Sequence, residues 1–169
     1  KDSVVTGMRV YTANNSPHAD PFKYRIKGRA LTGATVKTQH TTEIGDLCWS
    51  FDVWWVNMAP CDETDPKQMF YMNALGEIRV RSEPGACMDA RYGMDPNYLQ
   101  LRFLVCDENA LYQKFTYDPT TETITSLAYN YCIDYAPDWN VPYIHSCHGG
   151  DNQKWTLTGS FEPNKEETG

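Results

Sequence analysis

Cysteines and glutamine motifs recur three times in one order along the chain, and this repetition constrains the fold more than any other feature. Each unit has a cysteine, a variable loop, a second cysteine, a polar turn and then Gln-x-Phe or Gln-x-Trp. The units contain Cys48 and Cys61 before Gln68-Met69-Phe70, Cys87 and Cys106 before Gln113-Lys114-Phe115, and Cys132 and Cys147 before Gln153-Lys154-Trp155. A period of roughly 40 residues indicates a repeat architecture.

The segments around the cysteines favour strands over helices. Residues 98–105 are rich in β-favouring residues at period two, which is typical of a half-buried strand. Asp-Pro, Gly-Gly and Pro-Asp-Trp-Asn sequences interrupt any helical run. We therefore expect an all-β protein, and 169 residues suit one compact domain with short additions.

The cysteine spacing indicates disulfides within each repeat. No Cys-x-x-Cys pair is present, so the spacings do not suit a zinc knuckle or a thioredoxin-like redox site. The expected pairs are Cys48 with Cys61, Cys87 with Cys106 and Cys132 with Cys147, although the sequence alone permits other connectivities. In the loop-entropy model each short closure contributes about 3 kcal/mol. Such a framework indicates a secreted or extracellular protein.

The charge balance excludes two classes of partner. The chain has 15 Lys and Arg against 22 Asp and Glu, a formal net charge of -7, and therefore no basic field for nucleic acid or anionic lipid.

No apolar run approaches the roughly 18 residues needed to span a bilayer. The first three residues do not form a signal peptide, so we expect any targeting segment to have been removed or to lie outside this chain.

The threefold pattern resembles the ricin B-chain-like (R-type) lectins and the related carbohydrate-binding modules of glycosidases. The third repeat is closest, since Cys132-Ile133-Asp134 is similar to the family's Cys-Leu-Asp and residues 147–155 are similar to its closing motif. This resemblance implies a β-trefoil, in which three four-stranded units surround a pseudo-threefold axis. It also implies that Phe70, Phe115 and Trp155 fill the core.

The resemblance divides the chain into three parts. Residues 36–160 are expected to form the β-trefoil. Residues 1–35 form an N-terminal extension, in which residues 5–14 and 23–29 are predicted strands that vaguely resemble an edge of a discoidin-like sandwich. Residues 161–169 are predicted to be a flexible acidic tail. The chain can be one part of a larger multidomain protein.

A sugar site needs a carboxylate or amide that bonds hydroxyl groups and a flat face that packs against C–H groups. In the third repeat the resemblance implies that Asp134 and Asn152 bind the sugar and that Gln153 supports them, with His148 as a further polar candidate outside the motif. The alternatives are structural. Asp134 can accept hydrogen bonds from nearby amides in a turn, and Asn152 can be the residue that adopts a positive φ in the Gly-Gly-Asp-Asn turn.

At the position of the stacking aromatic this chain departs from the family pattern. The family places that residue two positions before the second cysteine, where this chain has His145, and Tyr143 lies on the same strand face. Tyr135 and Trp139 in the preceding loop can wall the pocket or can pack on the trefoil surface. We retain Tyr143 and His145 as the site candidates.

The second repeat contains a second and weaker candidate, Asp89. It follows Cys87 as the family pattern requires. However, Leu104 occupies the stacking position and Tyr112 stands where the turn asparagine is expected. A working site is therefore not expected in this repeat.

The first repeat departs from the pattern at three positions. Ser50 replaces the aspartate, Ala59 replaces the aromatic residue, and Lys67 precedes Gln68 in place of asparagine. We predict that this unit is purely structural.

Metal binding and catalysis have weaker support. His145 and His148 flank Cys147, but that cysteine is better explained by its disulfide and no carboxylate falls in a recognised ligand spacing, so no metal or other cofactor is expected. Asp134 could pair with another loop carboxylate as in glycosidases, yet neither has an evident apolar pocket. Nucleophile-elbow, P-loop and HExxH motifs are missing, so we expect no enzyme activity.

Two functions remain after this reasoning. The first is carbohydrate binding through one site in the third repeat, with glycans of glycoproteins, glycolipids or polysaccharides as partners. The alternative is a protein-binding trefoil, an adhesion or inhibitor module whose sugar sites have degenerated. A hydrolase with an active site in residues 1–35 has too little chain for a separate catalytic domain.

Overall fold

The computed structural model of the protein describes residues 33–92 and 100–161. These ranges contain twelve β-strands, four short 3-10 helices and no α-helix. None of the helices in these ranges is long and apolar enough to cross a membrane. The two strands predicted at residues 5–14 and 23–29 and the acidic tail from residue 162 onward lie outside the described residues. The strands are β1 (Ala34–Thr38), β2 (Leu47–Asp52), β3 (Trp55–Pro60), β4 (Phe70–Met72), β5 (Ile78–Val80), β6 (Glu83–Asp89), β7 (Arg102–Val105), β8 (Phe115–Asp118), β9 (Thr123–Ser126), β10 (Tyr131–Ala136), β11 (Val141–His145) and β12 (Trp155–Gly159).

The strands form three units of four, β1–β4, β5–β8 and β9–β12. The first and last strands of the units meet around a barrel, through the pairs β1–β12, β1–β4, β4–β5 and β8–β9. The Phe115 N–H also donates to the Gly76 carbonyl and the Trp155 N–H donates to the Glu122 carbonyl, at 2.8 and 2.9 Å. The middle strands form the hairpins β2–β3, β6–β7 and β10–β11. This arrangement confirms the predicted β-trefoil.

The aromatic residues of the repeated motif fill the centre of the barrel. Phe70, Phe115 and Trp155 each begin the last strand of their unit and are at most 1% exposed. The ring of Trp49 packs against two of them, with centroids 5.5 Å from Phe70 and 5.1 Å from Trp155. Burial of such large rings is the main favourable term in folding, so the motif stabilises the core as predicted.

The glutamines of the same motif are buried too, and they repeat one hydrogen-bond pattern. In each unit the side-chain amide nitrogen donates to the carbonyl before the second cysteine, and the amide oxygen accepts the N–H of the residue after it. These bonds join Gln68 to Pro60 and Asp62, Gln113 to Val105 and Asp107, and Gln153 to Ser146 and His148. The motif therefore also holds the chain around each second cysteine.

All six cysteines form disulfides in the predicted pairs. The bonds are Cys48–Cys61, Cys87–Cys106 and Cys132–Cys147. The first cysteine of each pair lies in the first strand of a hairpin, and the second follows the partner strand. Each disulfide therefore closes the open end of one hairpin.

Residues at both ends of the expected 36–160 range take part in packing and strand pairing. Strand β1 begins at Ala34 and pairs with β12 along its whole length, from Ala34 opposite Gly159 to Thr38 opposite Trp155. Phe161 is 4% exposed, and its ring packs 6.0 Å from that of Tyr117. The repeat motif in the sequence does not mark these positions, because they serve the closure of the barrel.

Candidate functional site

The centre of the candidate site is Asp134, which lies in the middle of β10 and is 1% exposed. Three side chains contact its carboxylate. The Asn152 amide donates to Oδ1, the Gln153 amide donates to Oδ2 at 2.8 Å, and the His148 Nε2 lies 3.1 Å from Oδ2. A buried carboxylate needs such partners, because burial without them disfavours the charged form.

The ring of His148 bridges Asp134 and the following loop. Its Nδ1 accepts the N–H of Gly150 at 3.1 Å. In a neutral imidazole one nitrogen accepts and the other donates, so this hydrogen bond assigns the proton to Nε2, which donates to Asp134. The His148 side chain is 43% exposed, whereas the Asp134 side chain is 1% exposed. His148 therefore covers the carboxylate from the solvent side.

The other two repeats explain how His148 is held. The equivalent residues are Asp62 and Asp107, the first after each second cysteine, and their carboxylates accept the N–H two residues ahead, from Thr64 and Asn109 at 2.8 and 2.9 Å. His148 makes the same turn with Nδ1 as the acceptor. Because the imidazole has a second nitrogen, it makes this turn and also reaches the carboxylate of β10.

Aromatic rings form a row beside the carboxylate. Tyr143 lies directly opposite Asp134 in the β10–β11 hairpin. Its ring centroid is 5.9 Å from that of His145, which is exposed and lies 5.9 Å from that of His148. Burial, and secondarily the charge of Asp134, raise the pKa of the Tyr143 hydroxyl. This hydroxyl therefore keeps its proton at neutral pH and can donate a hydrogen bond.

The six third-repeat residues selected from the sequence thus lie together: Asp134, Tyr143, His145, His148, Asn152 and Gln153. The other two aromatic candidates, Tyr135 and Trp139, lie in two different environments. Tyr135 is 4% exposed and belongs to the core, and its hydroxyl is 3.1 Å from the Asn140 side-chain oxygen. Trp139 is 61% exposed in the turn between β10 and β11.

A comparison with protein-family models assigns the chain to a family. Residues 50–155 match the model of the ricin-type beta-trefoil lectin domain. The chain belongs to this family. A comparison with curated protein sequences found no match.

Solved structures of ricin-type lectins have the same fold as this lectin domain. The agglutinin of Abrus precatorius is 17% identical with a TM-score of 0.62, and the match covers 75% of this chain and 47% of that one. A non-toxic type II RIP homologue from bitter gourd, in complex with α-methyl-D-galactoside, is 20% identical with a TM-score of 0.61, covering 74% and 47%. The C-half of an earthworm R-type lectin, in complex with GalNAc, is 16% identical with a TM-score of 0.56, covering 77% and 100%. This lectin domain thus spans less than half of each plant protein.

The second repeat of this lectin domain has a different arrangement around Asp89. That residue is 0% exposed, and the Arg91 guanidinium donates to both of its oxygens, from Nε to Oδ1 at 3.0 Å and from Nη2 to Oδ2 at 2.7 Å. The Gln113 amide lies 3.2 Å from Oδ2, and Arg91 lies over the ring of Tyr112. A cationic side chain of the protein itself therefore pairs with the carboxylate of Asp89.

The first repeat has Ser50 at this position, two residues after Cys48. Its hydroxyl cannot supply a charged acceptor. Asp134 is thus the member of the three equivalent positions that combines a carboxylate with neutral partners.

Sequence reasoning missed one grouping in the third repeat. Asp134, His145 and His148 each present a ligand atom, and these atoms all lie within 4.8 Å of one another. The carboxylate comes from β10 and the imidazoles come from the end of β11 and the loop after it, so no local spacing reveals the group. A second group in the described ranges, Glu77 with Cys87 and Cys106, contains disulfide sulfurs instead of thiolates.

Proposed function

We propose that this lectin domain binds carbohydrate at one site, which is in its third repeat and is built around Asp134. The observation that carries the proposal is the contrast between Asp134 and Asp89. Amides and a neutral imidazole surround Asp134, whereas a guanidinium neutralises Asp89. A charged acceptor forms the stronger hydrogen bonds with a hydroxyl group, so the third repeat offers the better partner for a sugar.

A sugar reaches this carboxylate by displacing the imidazole of His148. The carboxylate is covered in the free protein, and His148 is the exposed member of the residues that contact it. Its backbone N–H is held by the Gln153 side-chain oxygen at 2.8 Å, so only the ring needs to turn away. A sugar hydroxyl then donates to Asp134 in place of the imidazole N–H, and the net change in hydrogen-bond energy is small.

The other site residues complete the recognition. The Asn152 amide has a second N–H that can donate to a sugar oxygen while the first stays on Asp134. The rings of Tyr143 and His145 offer flat surfaces for the C–H face of a sugar. Gln153 fixes the carboxylate and, since it is 0% exposed, does not contact the ligand.

The proposed ligand class is a terminal galactose or N-acetylgalactosamine residue on a glycoprotein, glycolipid or polysaccharide. The ligands present in the bitter gourd and earthworm structures support this choice of first probe. We expect a shallow single site with an affinity between about millimolar and high micromolar, roughly 4 to 6 kcal/mol. Three disulfides support an extracellular location, where such glycans occur, and the role is binding without catalysis.

The test combines a glycan array with calorimetry on α-methyl-D-galactoside and GalNAc. Asp134→Asn removes the charge and keeps the shape, and Asp89→Asn is the matched change in the second repeat. Losing a charge-assisted hydrogen bond of about 1.5 to 3 kcal/mol should weaken binding by roughly tenfold to a hundredfold in Asp134→Asn. Asp89→Asn should bind as the wild type does, with melting temperatures as the folding control for both.

Two outcomes would reject the proposal. Equal losses in the two variants would remove the assignment to the third repeat. Binding to no glycan on the array, by a folded wild-type protein, would favour the protein-binding trefoil instead.

A further inference from the structure

We propose that Asp134, His145 and His148 also form a binding site for a divalent transition metal ion, and that Zn²⁺ is the ion that this ligand set fits best. The proposal does not depend on carbohydrate binding. Two imidazoles and one carboxylate are a ligand set of open zinc sites, in which the fourth position is left to water or another ligand. The three ligand atoms already lie within 4.8 Å of one another, so small rotations of the two exposed imidazoles bring them to a common ion.

His145 is oriented as a metal-binding histidine requires. Its Nδ1 lies 3.3 Å from the Ser146 carbonyl oxygen. The Ser146 hydroxyl oxygen lies 3.4 Å from the same nitrogen. In the tautomer that donates to the carbonyl, the proton is on Nδ1 and the lone pair of Nε2 is left for an ion. Histidines that bind metals usually donate their second ring N–H to a carbonyl or carboxylate in this way.

Asp134 has the supporting residues that a metal-binding carboxylate requires. The Asn152 amide donates to Oδ1 and the Gln153 amide donates to Oδ2, and neither bond involves His148. Such outer partners fix the orientation of the ligand. A cation also compensates the negative charge of a carboxylate that is 1% exposed.

His148 must change its tautomer to join the site. In the free protein its Nε2 carries the proton and its Nδ1 accepts from Gly150. An ion on Nε2 takes the place of that proton, so the neutral ring then carries its proton on Nδ1. A protonated Nδ1 cannot accept a hydrogen bond, so the Gly150 N–H must turn away. Gly149 and Gly150 have no Cβ, and Gly149 has a φ of 75°, so this loop can adjust. The tautomer change gives metal binding a distinctive signature.

Calorimetry with Zn²⁺ alone, in a buffer that does not chelate, tests the site without any glycan. The chain has four histidines, and His18 and His40 are the two that are not among the three proposed ligands. The control variant His18→Ala/His40→Ala should bind one Zn²⁺ as tightly as the wild type. His145→Ala and His148→Ala should each bind it at least roughly tenfold to a hundredfold more weakly, since losing only an outer partner of a metal ligand already costs that much.

Three results would overturn the proposal: no Zn²⁺ binding by the wild type, loss of binding in the control variant, or full binding in both single-histidine variants. A second measurement avoids variants altogether. Long-range ¹H–¹⁵N spectra of the imidazoles should show His148 changing from the Nε2–H to the Nδ1–H form as Zn²⁺ is added. Unchanged His148 signals at saturating Zn²⁺ would also contradict the site.

Discussion

The imidazole of His148 covers the carboxylate of Asp134, with Nε2 lying 3.1 Å from Oδ2. This contact joins the loop after the second cysteine to the middle of β10. It makes the central acceptor of the proposed sugar site inaccessible in the free protein. In the proposed function, a sugar hydroxyl therefore competes with the His148 side chain for this carboxylate.

The variant His148→Asn tests this competition. Asparagine can accept the Gly150 N–H as Asp62 and Asp107 accept theirs, but it is too short to cover Asp134. Calorimetry with α-methyl-D-galactoside should show binding tighter by up to about tenfold, because the ligand no longer displaces a hydrogen bond worth about 1.4 kcal/mol. Weaker binding in a variant with an unchanged melting temperature would mean that the imidazole contacts the sugar directly.

The repeated glutamines allow a matched comparison between repeats. Gln68→Leu and Gln153→Leu each remove two partly buried hydrogen bonds between a buried side chain and the backbone, so both should lower the free energy of unfolding by about 1 to 3 kcal/mol. Only Gln153→Leu should also weaken sugar binding, because Gln153 holds the Asp134 carboxylate. Urea unfolding and calorimetry measure the two effects. Equal sugar affinities in the two variants would show that Gln153 does not position Asp134.

The Asp89–Arg91 pair predicts a structural role for the second repeat. Arg91→Ala leaves a fully buried carboxylate with Gln113 as its remaining side-chain donor, so the free energy of unfolding should fall by about 1 to 3 kcal/mol. The control is Lys154→Ala, which removes a solvent-exposed pair with Asp151 at 3.6 Å and should cost less than about 1 kcal/mol. Urea unfolding of both variants checks this. Similar costs would mean that the pair with a buried carboxylate adds no more to stability than the exposed pair.

Glu77 predicts how stability changes in acid. Burial by itself would raise the pKa of this carboxyl, but hydrogen bonds from Arg79, Asn73 and Lys114 outweigh burial and hold the pKa below its usual value. A folded-state pKa below the unfolded one contributes stability that is fully present above the unfolded pKa, about 4.3, and is lost as pH falls through the folded pKa.

Urea unfolding between neutral pH and pH 3 measures this contribution. Glu77→Gln should reduce the loss of stability in acid, and Glu43→Gln, at an exposed position, serves as the control. The assignment fails if Glu77→Gln retains the full acid dependence of the wild type.

The fold was predictable because its information is local and repeated. The spacing of cysteines and Gln-x-aromatic motifs gave the three units, and the position of Asp134 two residues after Cys132 gave the central carboxylate. The bonds of Gln68, Gln113 and Gln153 to the chain around the second cysteine show why the motif and the cysteines occur together.

The accessibility of the Asp134 carboxylate could not be predicted from the sequence in the same way. Whether Asp134 is open or covered depends on the orientation of the His148 ring, which is set by a contact between β10 and a loop 14 residues further along. Asp89 is different, because Arg91 follows it at a separation of two residues. That acid–base spacing was visible in the sequence and could have indicated a neutralised carboxylate.

A titration with α-methyl-D-galactoside, followed by ¹H–¹⁵N NMR of the side chains, tests for a sugar site at Asp134. The signals of the Asn152 amide and the His148 imidazole should shift in a saturable way, and His148 should lose its hydrogen bond to Asp134. The Gln113 amide and the Arg91 Nε–H of the second repeat should stay unchanged. Saturable shifts confined to the second repeat, or their absence from both repeats at tens of millimolar sugar, about tenfold above the weakest affinity expected, would contradict a sugar site at Asp134.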